Sequence, residues 1–187
     1  MIQELHPFYI PIYKVSIADW HKKKNQLLNL VDWDDTSCWH DEHFTDYHRN
    51  KDDACPYAKD FLQLVGNELG QLAEAMSANI HLDLLWAQRY YDADYMGVHN
   101  HGATGYSCVL YAEFDPKDHK STQFTAPFNN FVNGSALHYM PEVNEGDMIV
   151  FPSALLHCAL PSMSATARTI FSFNMRLTER NHDGDDQ

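Results

Sequence analysis

Two histidines, His99 and His101, stand two residues apart just before a run of strand-forming residues. In extended backbone, residues i and i+2 face the same way, so both imidazoles point to one side, a geometry suited to a metal ion. The pair alone is a weak signal, because in a chain of 187 residues with 12 histidines about one His-x-His is expected by chance. A third imidazole strengthens it. His157 follows a Gly-Asp turn in GDMIVFPSALLHCALP, where a strand crossing a β barrel would bring it against the first pair. Three ligands on one side of an ion leave its other positions open, as catalysis requires. A closed structural zinc site would more often use cysteine, and Cys38, Cys55, Cys108 and Cys158 are not at ligand spacing.

Arg168 opens the run ARTIFSFNMRL. Strand alternation puts Arg168, Ile170, Ser172 and Asn174 on one side and Thr169, Phe171, Phe173 and Met175 on the other. The aromatic side reads as core against helices, and the other side as the barrel interior. An arginine there is unfavourable unless it meets an anion, and a bound carboxylate would supply one. Its planar fork suits bidentate binding, Ser172 offers a hydroxyl, and Tyr111 in YSCVLYAEF offers a phenol from a neighbouring strand. The plainer reading of Arg168 is a surface or ion-paired residue. A second cluster, His40, Asp41, Glu42, His43 and His48, has no helical period and reads as a solvated acidic loop that covers the mouth of the site. Trp86, Gln88, Tyr90 and Tyr91 read as strand packing.

The elements that must position these residues follow from periodicity. Ser16 to Val31 opens with a capping box, Ser16 with Asp19, and spaces Ile17, Trp20, Leu27, Leu28 and Val31 along one side of a helix. Residues 32–54 lack a period and read as a long irregular connection. Tyr57 to Ala78 carries Leu62, Val65, Leu69, Leu72 and Met76 at steps of three and four, a second amphipathic helix. From residue 80 onward the chain breaks into about seven or eight short runs rich in aromatic and β-branched residues, separated by Gly, Asn, Asp and Pro turns. The expected fold is therefore α+β and mainly β: a double-stranded β-helix, the cupin-like jelly roll, with two N-terminal supporting helices. One domain is expected over 1–187, with helical support and an irregular loop in 1–79, a jelly-roll catalytic core in 80–177 and an acidic tail in 178–187.

Composition narrows the partners. The chain is 44% apolar with a formal charge of -13, so a nucleic acid or an anionic membrane surface would be repelled overall. The cysteines form no CxxC pair, and neither a signal peptide nor an 18-residue apolar run is found. Reduced thiols and a cytoplasmic location are expected.

HNHGATGYSCVLY, GDMIVFPSALLHCALP and ARTIFSFN together resemble the Fe(II)/2-oxoglutarate-dependent dioxygenases, in the phage and bacterial branch related to prolyl 4-hydroxylases. The resemblance spans about residues 80 to 177. It implies Fe(II), 2-oxoglutarate as cosubstrate and O2, with succinate and CO2 released as a peptidyl or small-molecule substrate is hydroxylated. It makes His99 the first iron ligand, His157 the distal histidine, Arg168 the clamp for the far carboxylate of 2-oxoglutarate, and Ser172 and Tyr111 its hydroxyl helpers. Most of the superfamily carries Asp or Glu where this chain has His101. Either His101 is the third ligand, or Asp92, Asp94, Glu113 or a water takes that place; the i, i+2 geometry favours His101. Two other readings fit the same residues: a three-histidine cupin dioxygenase that needs no 2-oxoglutarate, and hence no Arg168, and a non-catalytic jelly-roll binding module. Homo-oligomerisation is left open.

Overall fold

The structure, a computed structural model, describes residues 3, 9–40 and 43–180. Its larger sheet has seven strands in the order β1 (Tyr13–Ser16), β9 (Asp147–Pro152), β6 (Tyr106–Glu113), β11 (Arg168–Glu179), β4 (Ala78–Tyr90), β3 (His43–Thr45) and β2 (Trp39–His40). The smaller has four: β5 (Met96–His99), β10 (His157–Ala159), β7 (Gln123–Asn129) and β8 (Ala136–Tyr139). Every pairing is antiparallel. This is the expected jelly roll.

The inner strands of the large sheet read as nearly unbroken apolar runs because both of their faces are covered. Cys108, Leu110 and Ala112 of β6, Met148 and Val150 of β9, and Phe171 and Phe173 of β11 join one core, which includes Phe61, Val65, Leu69 and Leu72 of helix α3 (Ala58–Ala75). The intervening residues Val109, Tyr111, Ile149, Phe151 and Ile170 join a second core that includes Phe124 of the small sheet. A period of two thus sorts each strand into a helix-side face and a sheet-side face. The register of β11 is fixed on both flanks, by β4 and by β6.

The N-terminal third departs from expectation. Ser16 ends β1 instead of capping a helix, and its hydroxyl donates to Asp147 Oδ1 at 2.6 Å on the partner strand. Helix α1 spans only Trp20–Leu28, after Asp19 in left-handed backbone (φ 52°) with no side-chain cap. The turn before β9 receives it: Gly146 has φ +87°, and a Cβ there would lie 2.7 Å from the Trp20 ring, so the helix packs where only glycine fits. The segment 32–54 is structured rather than irregular. It contributes a 3-10 turn (Thr36–Cys38), β2, β3 and a short helix α2 (Tyr47–Asp52), making three helices among the described residues where two were expected. Asp46 ties this segment down: its carboxylate accepts from Ala87 N at 2.7 Å, the Tyr57 hydroxyl at 2.7 Å and Arg49 at 3.4 Å. Of the tail, 178–179 complete β11 and 181–187 lie outside the described residues.

Candidate metal centre

His99 closes β5 and His157 opens β10, and the two are directly opposite in the antiparallel ladder. Residues opposite each other in such a pair send their side chains to the same face. His101 lies just past β5, where its backbone N–H donates to Ser153 O at 2.9 Å. The pair thus straddles the end of β5, where a position just before a strand was expected. The ring centroids are 4.3 Å apart for His99 and His157, 4.9 Å for His101 and His157, and 5.2 Å for His99 and His101. One nitrogen of each lies within 4.8 Å of the other two.

The remaining ring nitrogens fix the tautomers. His99 Nδ1 is 2.7 Å from Gly97 O, and His157 Nδ1 is 2.9 Å from Leu155 O. A carbonyl only accepts, so both Nδ1 atoms carry the proton and both lone pairs sit on Nε2. His101 Nδ1 is 2.8 Å from Asn174 Oδ1 and 2.8 Å from the Ser107 hydroxyl, which itself donates to Asn174 Oδ1 at 2.9 Å and meets Ser153 Oγ at 2.9 Å. The same tautomer satisfies that network. Three rings oriented through Nδ1 in this way match how ligating histidines are held. Burial pushes the His157 pKa down to about 3, and His99 and His101 lower it further against the opposing bond to Leu155. His101 is lowered by burial too. The two rings are therefore neutral near pH 7, the form that donates a lone pair. Among the described residues this cluster contains no carboxylate. Glu113 instead pairs with Arg89 at 2.9 Å, Asp94 accepts from Tyr91 N at 2.7 Å, and Asp92 is exposed.

A cavity of about 460 Å³ opens beside the three histidines. Its wall takes Ile170, Ser172 and Asn174 from β11, the face that alternation assigned to the interior. Ser172 donates to Gln88 Oε1 at 3.2 Å. Arg168 and Tyr111 sit behind the wall. Arg168 is 2% exposed; one guanidinium nitrogen donates to Lys120 O at 3.0 Å and Leu160 O at 3.4 Å, and its Nη2 has no partner. Its charge lies 4.4 Å over the ring of Tyr90, which lines the cavity. Among the described residues Arg168 is thus neither on the surface nor in an ion pair. The Tyr111 hydroxyl accepts from Thr122 N at 3.0 Å and meets Thr122 Oγ1 at 2.9 Å. Thr122, a wall residue, carried no sequence signal.

Two expectations need correcting. Trp86, Gln88 and Tyr90 do more than pack their strand, since all three line the cavity; Tyr91 is partly exposed and stacks on Trp39. The 40–48 cluster is only in part a solvated loop. His43 is 5% exposed, stacks on Tyr90 at 4.6 Å and lies 3.2 Å from the Gln88 amide nitrogen, because β3 pairs with β4 and inserts its residues beside that strand. Thr45, Tyr47 and His48 form part of the cavity wall. Asp41 and Glu42 lie outside the described residues.

Residues 84–174 match the family described as "Putative 2OG-Fe(II) oxygenase". The match covers just under half of the chain and is a similarity to that family. The matched segment begins in β4 and ends at Asn174, so it contains the three histidines, Tyr111, Arg168 and Ser172. Solved oxygenases share the fold. A viral collagen prolyl hydroxylase from Paramecium Bursaria Chlorella virus-1, solved as a 2-oxoglutarate complex, is similar with TM-score 0.60 and 11% identity over 90% of this chain and 96% of that one. HygX from Streptomyces hygroscopicus, solved with nickel, 2-oxoglutarate and hygromycin B, gives TM-score 0.59 and 11% identity over 90% and 84%. An oxidoreductase of the 2OG-Fe(II) oxygenase family from Burkholderia pseudomallei gives 0.50 and 16% over 65% of this chain, which spans 56% of that protein. No curated protein matches. The match is to an oxygenase family, and the three-histidine cluster is a feature of this structure.

Proposed function

We propose that this protein is an Fe(II)- and 2-oxoglutarate-dependent dioxygenase, formed as a single domain, that hydroxylates a small-molecule or peptidyl substrate. The observation that carries this reading is the pairing of two features from the two sheets, His99 and His157 on the small one and Arg168 on the large one. Three imidazoles converge beside a cavity, and a buried guanidinium whose Nη2 is unpartnered among the described residues lies next to the cavity wall. The donor set fits a divalent iron, since imidazole is a good ligand for it. The orphaned Nη2 fits a carboxylate, because a buried charge without an anion is costly.

His99, His101 and His157 would hold Fe(II), and Arg168, Ser172 and Tyr111 would hold the far carboxylate of 2-oxoglutarate. With Fe(II) and 2-oxoglutarate bound, the group supplies O2 activation, the net change being insertion of one oxygen into a substrate C–H bond and of the other into succinate, with loss of CO2. The chain's own part is positional. Leu155, Gly97 and Asn174 keep the three rings in the donating tautomer. Arg168 neutralises an incoming carboxylate, Tyr111 turns its proton toward it from Thr122, and Ser172 does the same from Gln88. Trp86, Tyr90 and Tyr47 wall the cavity with aromatic surface that excludes water and receives the apolar part of a substrate.

The absence of a carboxylate from the cluster favours a second reading, a three-histidine dioxygenase working without 2-oxoglutarate. Succinate release from 2-oxoglutarate by the Fe(II)-loaded protein separates them. Succinate formation that depends on Fe(II) and is lost in Arg168→Gln supports the first reading, and equal 2-oxoglutarate affinity in both proteins overturns it. Among the described residues no helix is long and apolar enough to cross a membrane; a cytoplasmic location is part of the proposal, with the substrate reaching the cavity from solution.

A further inference from the structure

The third imidazole is built in rather than incidental. His101 reaches the centre from outside any strand, yet its amide is pinned to Ser153 O at 2.9 Å and its Nδ1 to Asn174 and Ser107 at 2.8 Å each. Ser107 is fully buried, and its hydroxyl also meets Ser153, so three strands or their ends, β6, β9 and β11, converge on this one ring. A carboxylate at position 101 would find an acceptor, Asn174 Oδ1, where the structure now has a matched donor and acceptor. Two acids considered as alternatives are engaged elsewhere, Glu113 with Arg89 and Asp94 with a backbone amide.

We infer that His101 sets which metal this site prefers. Affinity for divalent ions climbs from manganese through cobalt and nickel at any such site, and it climbs more steeply as nitrogen donors replace oxygen donors. Carboxylate oxygen suits manganese nearly as well as its later neighbours, whereas imidazole discriminates against it. Three neutral imidazoles also leave the full dipositive charge on the ion, so nothing in the protein compensates for weak manganese–nitrogen bonding. The centre therefore holds late first-row ions over manganese by a wider margin than the same site with a carboxylate at 101. This rests on reading the three histidines as a metal site.

The test is a competitive titration of the full-length apo-protein with Mn(II) and Ni(II) separately against a chromophoric chelator, with folding followed by circular dichroism. His101→Asp should lower the ratio of nickel to manganese affinity by about tenfold or more. Asn174→Asp should move both affinities together and leave the ratio within about twofold, because it strengthens the hold on the ring without changing the donor atom. An unchanged ratio in His101→Asp overturns the inference while leaving the metal site intact. Binding of neither ion by the wild type overturns the metal site itself. Should His101→Asp fail to fold, His101→Glu carries the same comparison. A reading independent of variants is pulsed EPR of the Cu(II)-loaded wild type, where three coordinated imidazoles are expected and two would overturn the assignment.

Discussion

Phe171 and Phe173 alternate with Ser172 and Asn174 along β11, and the two sets of neighbours face different worlds. The phenylalanines are fully buried and pack on Phe61 of α3 at 5.6 and 5.4 Å. Ser172 and Asn174 line the cavity, where each is committed to a hydrogen bond with another wall residue. The helix-side face of β11 is satisfied by contact alone. Beside its other face, the Arg168 Nη2 and the His43 Nδ1 are buried without partners among the described residues, and a third such atom, Asn50 Oδ1, lies off this strand near Tyr57 and Leu85. Along β11, packing is the work of one face and unfilled hydrogen-bonding capacity borders the other.

If that division is real, the two faces fail differently. Phe171→Ala should cost about 3 to 5 kcal/mol of unfolding free energy, as emptied core aromatics do, while the folded fraction keeps its metal affinity. Denaturant titration with and without Mn(II) checks both halves. His157→Ala and His99→Ala should do the reverse, lowering metal affinity about a hundredfold, about 2.7 kcal/mol, with a melting temperature close to wild type. Calorimetric titration reads the first and circular dichroism the second; unchanged affinity in both variants would remove the cavity side's claim to chemistry.

Acid should loosen the cavity side as well. Burial, then His40, Arg168 and His48, pushes the His43 pKa from 6.5 down to about 4. A histidine lowered on folding is neutral in the fold and takes up its proton more readily when unfolded. Its contribution is therefore complete above about pH 6.5 and is lost as the pH falls toward about 4. His43 alone should account for about 3 kcal/mol of the apo-protein's loss across that window, beside a similar share from His157, and His43→Phe should make the slope shallower. An equally steep acid limb in the variant would show that other groups carry it. Smallest in expectation is Arg168→Gln, which should weaken 2-oxoglutarate by about 1.5 to 3 kcal/mol and leave metal binding alone, because it removes a charge-assisted pair and no ligand.

The second half of the chain was legible because period two and turn residues are local properties: strands β4 to β11 fall where the apolar runs and their Gly, Asn, Asp and Pro breaks place them. Local signal failed where tertiary pairing decided. Strands of two to four residues such as β1, β2 and β3 are too short to show alternation. Ser16 looked like a helix cap, but its hydroxyl belongs to Asp147, 131 positions away. In the site, the spacing of His99 and His101 and the alternation from Arg168 to Asn174 were readable. Thr122, Ser107 and the wall formed by Thr45, Tyr47 and His48 were not, since nothing in their neighbourhoods marks a threonine or serine as facing a cavity until β6, β7 and β3 are laid beside it.

The wall contributed by residues 43–52 sits at the margin of the large sheet, where β2 is the outermost strand among the described residues. It is fastened largely through one carboxylate, Asp46, and through two paired residues of β3. Of the histidines, by contrast, His157 sits in a strand paired on both sides, His99 faces it across the ladder, and His101 is held through Ser153, Asn174 and Ser107. The cavity is thus walled by two kinds of structure: an edge segment that can be exchanged without moving any register among β6, β9 and β11, and a ladder whose displacement would part His99 from His157.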